Sequence, residues 1–162
     1  VRFQGLAAEG NIGGTKVLAL KPTTYMNLSG QSVGEAVRFY KISLENIIVL
    51  HDELDLPLGK IRVKTGGGHG GNNGLRSIIG HLGENFCRVR LGIGHPGEKH
   101  LVTGHVLSNF SKAEQATVEA ATESISRHID LLIDGDAPGF MNKLALDIAP
   151  HKSKDADTTK GN

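Results

Sequence analysis

The sequence is poor in the residues that mark several protein classes. It has one cysteine, no tryptophan, two tyrosines and five phenylalanines among 162 residues. One cysteine cannot form an internal disulfide, so a disulfide-stapled domain is excluded. No apolar run approaches the roughly 18 residues that a membrane span needs. These absences predict a cytoplasmic protein that does not associate with membranes.

The lone cysteine lies in a segment whose apolar residues alternate. Cys87 shares one face of a predicted strand with Val89, Leu91 and Ile93. A free cysteine on such a face behaves as a small apolar side chain. We therefore interpret it as a core thiol rather than a nucleophile.

The chain as a whole has almost no net charge, but one segment is strongly basic. The net charge is +1, whereas residues 60–112 contain eight lysines and arginines against two glutamates, Glu84 and Glu98. Basic residues recur at every second position in two predicted strands, which places each set on one face; they are Lys60, Arg62 and Lys64, and Arg88 and Arg90. Such faces attract a phosphate-bearing partner. The alternative is that they are ordinary solvated strand faces.

Glycine is abundant and concentrated. Residues 66–74 contain six glycines, between a strand-like and a helix-like run. Glycine loses much conformational freedom on folding, so this density predicts close approach of the backbone to a ligand. The segment is neither a Walker A loop nor a dinucleotide-binding fingerprint. Its backbone N–H groups suit an anion or a carbonyl oxygen that acquires negative charge.

Strand-like and helix-like segments alternate along the chain. We predict a hairpin from Val1–Ala8 and Lys16–Leu20, with a glycine-rich turn. Further strands are expected at 46–50, 60–64 and 86–93, and helices at 32–41, 75–82, 111–135 and 139–148. Ser32 with Glu35, and Ser111 with Glu114, resemble capping boxes at two of these helix starts. This alternation predicts one α/β domain over residues 1–149 with a mixed sheet. The polar residues 150–162 are predicted to form a disordered tail.

Several polar side chains stand where ligands gather in α/β folds, at the carboxyl ends of strands. Asp52 follows a strand predicted to be covered on both faces, and could orient a histidine, cap a helix or form an ion pair. Asn27 could be a ligand contact, a helix cap or a turn residue, and Tyr25 could stack on a base or lie in the core. A metal site is a further hypothesis, from His51, Asp52, Asp55 and His69. It is disfavoured because these residues lack a recurring ligand spacing.

Four segments together resemble bacterial peptidyl-tRNA hydrolases. They are residues 22–30 (PTTYMNLSG), 51–57 (HDELDLP), 67–75 (GGHGGNNGL) and 88–97 (RVRLGIGHPG). The resemblance implies hydrolysis of the ester that joins a peptide to the 3′ ribose of tRNA, without a metal or other cofactor. It also implies a monomer with a three-layer α/β/α sandwich and a mixed, mostly parallel sheet. Relative to the family, this chain lacks the first strand and helix.

The same resemblance assigns roles to individual residues. Asn27 and Asn73 contact the peptidyl-adenosine end, and Asp52 orients the catalytic histidine. Gly70 offers a backbone amide to the peptide. Two further pairs are implied: Tyr25 and Met26 line the pocket, and Lys64 and Arg90 bind the tRNA 5′ phosphate.

Two departures from the family pattern affect these expectations. Asn72 replaces a second histidine, and an amide cannot titrate. The histidine that acts as general base in the family has no counterpart, because no histidine precedes His51. Since the sequence starts at Val1 in an apparent mid-strand, we expect N-terminal sequence to be missing and this chain to be inactive or crippled. The alternative is a non-catalytic RNA-binding protein, similar to plastid intron-splicing factors of the same scaffold.

Overall fold

The computed structural model describes residues 1–95, 104–105 and 109–147. The chain divides into two compact units. The first unit consists of Val1–Val49 and Lys64–Val89, and the second of Leu50–Val63 and Arg90–Asn162. The predicted tail at 150–162 and the predicted helix end at Ile148 lie outside the described residues.

The first unit begins with the predicted hairpin. Strand β1 (Gly5–Ile12) pairs antiparallel with β2 (Thr15–Pro22), with Gly5 opposite Pro22. The two-residue turn has φ values of 55° at Gly13 and 83° at Gly14, which glycine adopts without strain and which suit the twist of a hairpin. The sequence prediction of this hairpin is confirmed.

The predicted start of the first strand at Val1 is wrong. Phe3 and Gln4 have φ values of 57° and 53°, and they form a left-handed turn that bridges Arg2 to Gly5. The Phe3 ring packs against Phe39, with the ring centroids 5.5 Å apart. Packing and the Arg2 to Gly5 backbone bonds thus hold two non-glycine residues in a conformation that local propensity disfavours.

Two helices follow in the first unit, α1 (Ser29–Tyr40) and α2 (Asn73–Leu82). The predicted capping box at Ser32 is wrong, because α1 starts earlier, after a single 3-10 turn at Met26–Leu28. Ser32 is fully buried inside α1, and its hydroxyl donates to the Phe3 carbonyl oxygen at 2.6 Å. The helices cross closely at Gly30, where a Cβ atom would clash with the Ser77 carbonyl and His81 Nδ1.

An apolar core forms where these helices pack in the first unit. Its buried members are Ile47, Leu75, Ile78 and Phe86. Partly buried apolar side chains surround them, including Val33 and Val37 of α1 and Ile79 and Leu82 of α2. The helical spacing of these residues is the signal that predicted α1 and α2.

The three-stranded sheet contains β3 (Ile48–Glu53), β4 (Ile61–Thr65) and β5 (Cys87–Gly92) in the order β3-β5-β4. Backbone bonds from Cys87 to Ile47 and from Ile93 to Glu53 have the order of a parallel pair. Bonds from Gly66 to Phe86 and from Gly92 to Lys60 have the order of an antiparallel pair. A mixed sheet with helices confirms the predicted α/β class.

Strand β3 is less covered than its apolar run suggested. Leu50 is 56% exposed, and the other β3 residues are half-buried. Within the described residues β3 lies at an edge of the sheet, next to β5 alone. The prediction of a strand covered on both faces is therefore not met in this part of the chain.

The second unit contains the longest helix, α3 (Lys112–Ile133). It begins at the predicted capping box, in which Ser111 and Glu114 exchange side-chain to backbone hydrogen bonds. It ends before Gly135, which has a φ of 85°, and residues 137–147 form a further helical segment. None of the helices in the described ranges is long and apolar enough to cross a membrane.

Candidate functional site

The glycine-rich segment forms the connection between β4 and α2 in the first unit. Gly66, Gly67, Gly70 and Gly71 all have positive φ values, between 57° and 94°. Other residues rarely adopt these angles, so the path of the loop depends on glycine. Gly68, Gly70 and Gly71 are exposed, which leaves this stretch of backbone open to a ligand.

The end of the glycine loop is fixed by Asn72. It is the N-cap of α2, and its Oδ1 accepts a hydrogen bond from the Leu75 amide at 3.0 Å. This bond satisfies one of the free amides at the helix start. Asn73, the first residue of α2, is exposed. Asn72 therefore has a structural function in the loop that the sequence analysis did not assign.

The guanidinium of Arg88 binds the backbone of the loop. Its Nη1 donates to the Gly68 carbonyl at 2.5 Å, and its Nη2 donates to the carbonyls of Gly67 at 2.6 Å and Glu84 at 3.0 Å. The residue is only 2% exposed. Burial lowers the pKa of the Arg88 guanidinium from its ordinary value, while the Glu84 charge acts in the opposite direction. The prediction that Arg88 lies on a surface basic face is therefore wrong.

A second segment of candidate residues lies against the start of α2. Met26 opens the 3-10 turn, and its sulfur would be 2.9 Å from a Cβ placed on Gly74. Gly74 is buried, and a side chain at this position would require the Met26 side chain to shift. Asn27 is exposed in the same turn. The structure thus brings the turn that carries Asn27 next to the helix that begins at Asn73.

The other residues of that turn are also accessible. Tyr25 is 83% exposed and Met26 is 53% exposed. Tyr25 is therefore not a core residue, which was one of its two interpretations. Asn27 is not the cap of α1 either, because the cap position is Leu28 and no side chain caps it.

The basic residues in and just before β4 face solvent. Lys60, Arg62 and Lys64 are all exposed, whereas Ile61 between them is buried. This agrees with the alternation predicted from the sequence. The Nζ of Lys64 reaches back toward the loop, to 2.7 Å from a Cβ placed on Gly67. Lys64 is thus placed beside the glycine loop.

Two candidate residues belong to the second unit. Asp52 is half-buried near the end of β3, and its backbone carbonyl accepts a hydrogen bond from His51 Nδ1 at 2.7 Å. Arg90 of β5 forms an ion pair with Glu53 across 3.8 Å. The Arg90 side chain is 29% exposed, so it is less available to a partner than the residues of β4.

Two further interpretations can be compared with the structure. The described residues bring no three His, Cys, Asp or Glu side chains together in an arrangement that could hold a metal ion. Cys87 is half-buried, and burial raises the pKa of its thiol. A raised pKa disfavours the thiolate, as expected of a packing residue.

Similar proteins were found both among family models and among curated sequences. The family model described as peptidyl-tRNA hydrolase matches residues 1–154. A peptidyl-tRNA hydrolase of Rhodospirillum centenum is 55% identical over 151 residues, which are 93% of this chain and 66% of that protein. One of Paracoccus denitrificans is 56% identical over 94% of this chain and 65% of its own length. The chain thus spans slightly less than two thirds of these relatives.

Solved structures give the same result. A crystal structure of peptidyl-tRNA hydrolase from Acinetobacter baumannii is 50% identical, with a TM-score of 0.82, and the match covers 88% of this chain and 73% of that one. A complex of a peptidyl-tRNA hydrolase with N-propanol matches with the same TM-score of 0.82. The glycine loop, the Met26 turn and these matches lead to one conclusion: the chain belongs to the peptidyl-tRNA hydrolase family.

Proposed function

We propose that this protein hydrolyses the ester bond of peptidyl-tRNA and releases the peptide and free tRNA, as a cytoplasmic monomer without a cofactor. One observation carries the proposal. In a chain of this family, the exposed turn with Asn27 lies against the start of α2, where Asn73 follows the glycine loop. Two amide side chains and a run of backbone amides are thereby available to one acyl group.

The chemistry of these groups fits the acyl end of the substrate. Attack on an ester carbonyl creates negative charge on its oxygen, and preorganised N–H donors stabilise that charge. In the proposed roles, Asn73 and the loop amides stabilise the oxyanion, and Gly70 and Asn27 bind the peptide. Tyr25 and Met26 offer exposed apolar surface on which the terminal adenosine can stack.

The remaining roles concern the attacking water and the tRNA body. In the proposal Asp52 orients the histidine that deprotonates water. No residue of this chain is assigned as that base. Lys64 and Arg90 are each proposed to contact the 5′ phosphate of the tRNA. The role is supported more strongly for Lys64, which is exposed, than for Arg90, which already forms an ion pair with Glu53.

The proposal is tested with N-acetyl-phenylalanyl-tRNA as substrate. We expect release of acetyl-phenylalanine above the rate without protein. Because no base is assigned, we also expect added imidazole to accelerate release, since a missing positioned base costs about 100- to 10,000-fold. Absence of release both with and without imidazole would reject the hydrolase.

Variants of Asp52 and Asn73 test the assigned roles. In a full-length form that carries the general-base histidine, Asp52→Asn and Asn73→Ala should each lower turnover by about 100-fold, because one orients the base and the other stabilises the oxyanion. Matched controls are Asp55→Asn and Asn11→Ala, which remove the same groups from exposed positions. Turnover close to that of the unchanged protein in both site variants would contradict these roles.

The second candidate function, non-catalytic RNA binding, is favoured by the exposed basic residues Lys60, Arg62 and Lys64. It predicts tight tRNA binding without ester release. Filter binding of the same acylated tRNA distinguishes the two functions. Tight binding without release, even with imidazole, would support the second candidate.

A further inference from the structure

The guanidinium of Arg88 is held by backbone carbonyls instead of a carboxylate. Its three acceptors are the carbonyl oxygens of Gly67, Gly68 and Glu84, and it lies over the Phe86 ring at 4.6 Å from the centroid. No ion pair joins it to a carboxylate in the described part of the chain. Burying a charge without an ion pair is costly. The buried Arg88 therefore needs a compensating role, and its contacts indicate that this role is to fix the geometry of the loop.

The direction of the two glycine carbonyls determines the direction of the next two amides. Peptide bonds are planar, and none of the described ones is cis, so each C=O is antiparallel to the N–H of the following residue. Because the carbonyls of Gly67 and Gly68 face Arg88, the N–H groups of Gly68 and His69 face away from it. Neither amide has an acceptor among the residues that the structure describes.

These two amides lie at an accessible point of the loop. Gly68 is exposed and His69 is half-buried, and a Cβ on Gly68 would meet no atom within 4 Å. Gly67 has a φ of 94°, which few residues other than glycine adopt, so the chain enters this stretch along a path that depends on glycine. Successive N–H groups that point the same way form a concave site for an oxygen that carries negative charge.

We propose that Arg88 is a positioning residue that holds the carbonyls of Gly67 and Gly68 inward, so that the amides of Gly68 and His69 bind a carbonyl oxygen of the acyl group on tRNA. This rests on the proposed function, because it takes the substrate class from there. It adds two donors to the site, and it assigns their orientation to a side chain that does not touch the substrate.

Lysine is the informative replacement for Arg88. It keeps the positive charge but cannot span two adjacent carbonyls with a planar fork. In Arg88→Lys the peptide planes at Gly67 and Gly68 are no longer both held, so the two amides lose their common direction. Arg38→Lys is the matched control, because Arg38 is an exposed arginine of α1 in the same unit.

The experiment uses the uniformly 15N-labelled chain and a non-hydrolysable probe, 3′-amino-3′-deoxyadenosine acylated with N-acetyl-phenylalanine. In the unchanged protein we expect the amide proton resonances of Gly68 and His69 to move downfield when the probe binds. In Arg88→Lys we expect these shifts to be lost and the Kd of the probe to rise about tenfold, since a misdirected donor forfeits its bond. The Kd of uncharged tRNA should change less than about twofold, because Arg88 is away from solvent.

Three outcomes separate the inference from the proposed function. If Gly68 and His69 do not respond to the probe in the unchanged protein, the inference fails even if the ester is hydrolysed, and this holds even where Arg88→Lys does not fold. If they respond equally in Arg88→Lys, Arg88 is not the positioning residue. If they respond as expected but no ester is released either with or without imidazole, the positioning role stands and the hydrolase is rejected.

Discussion

Strands β4 and β5 present the same pattern of basic residues in opposite environments. Lys60, Arg62 and Lys64 are exposed, whereas Arg88 is 2% exposed and binds three carbonyls. Alternation places residues on one face of a strand, but it does not reveal what covers that face. The comparison teaches that the charges in and just before β4 remain in solvent, while the Arg88 charge of β5 is buried against the loop.

The largest effect is expected on stability, when Arg88 is replaced. Arg88→Met should lower the free energy of unfolding by about 3 kcal/mol, because carbonyls that now accept hydrogen bonds would stay buried and unpaired. Arg62→Met removes an exposed arginine from β4 and should change it by less than about 0.5 kcal/mol. Urea denaturation of both variants measures the difference. Equal values would mean that the two strands do not differ.

The next test concerns the charge that β4 offers. A triple variant should make the slope of log Kobs for tRNA against log salt shallower by about 2 to 3; it combines Lys60→Gln, Arg62→Gln and Lys64→Gln. The reason is that binding releases fewer counterions from the tRNA when phosphate contacts are lost. The control combines Lys16→Gln, Lys21→Gln and Lys41→Gln, which remove three exposed lysines of the first unit that lie outside β4. A slope that changes equally in both would show that the effect follows total charge rather than β4.

Arg90 sharpens the comparison because it is intermediate between the two environments. It is separated from Glu53 by 3.8 Å, and both side chains keep some exposure. A double-mutant cycle with Arg90→Gln and Glu53→Gln should give a coupling free energy of about 0.5 kcal/mol, as is usual for a partly solvated pair. A coupling free energy as large as the loss expected for Arg88→Met would mean that both arginines of β5 mainly stabilise the fold.

The smallest expected effect extends the contrast to an acid of the second unit. Asp147 accepts hydrogen bonds from Ser124 and His128, and these bonds lower the pKa of its carboxyl below the ordinary value of 3.8. A lowered pKa contributes stability that is present above the unfolded value and is lost as the pH falls through the folded value. Urea midpoints of the unchanged protein should therefore decline below about pH 4, and those of Asp147→Asn should decline less.

Glu119 provides the control for that pH experiment. It is an exposed carboxylate of α3, the helix that carries Ser124 and His128, and Glu119→Gln removes one acid from that helix. Its urea midpoints should follow those of the unchanged protein. Parallel pH profiles for Asp147→Asn and the unchanged protein would contradict a stabilising role of Asp147.

The local signals in the sequence were sufficient for most of the fold. Ser111 and Glu114 predicted the start of α3 because a capping box depends only on neighbouring residues. The Gly13–Gly14 turn predicted the hairpin for the same reason. The loop and the motif residues predicted where Asn27 and Asn73 would lie, and the structure brings their two segments together.

The failures share a physical cause, which is that long-range packing decided them. Ser32 resembled a helix cap, but it became an interior residue whose hydroxyl binds the Phe3 carbonyl, 29 residues earlier. Arg88 resembled a surface residue because its three acceptors are carbonyls, which leave no trace in side-chain identity. The Asn72 cap could have been found, since asparagine before an apolar helical repeat is a common start signal.

Gly30 carries no reactive group, yet it governs the spacing of residues that do. Its missing side chain lets α1 approach the middle of α2, at Ser77 and His81. The turn with Asn27 leads into α1, and α2 starts with Asn73. Any bulkier amino acid at position 30 would wedge the helices apart and widen the gap between two amides on opposite sides of the crossing. The spacing of the two amides proposed to bind the acyl group is thus set by a residue outside the proposed site.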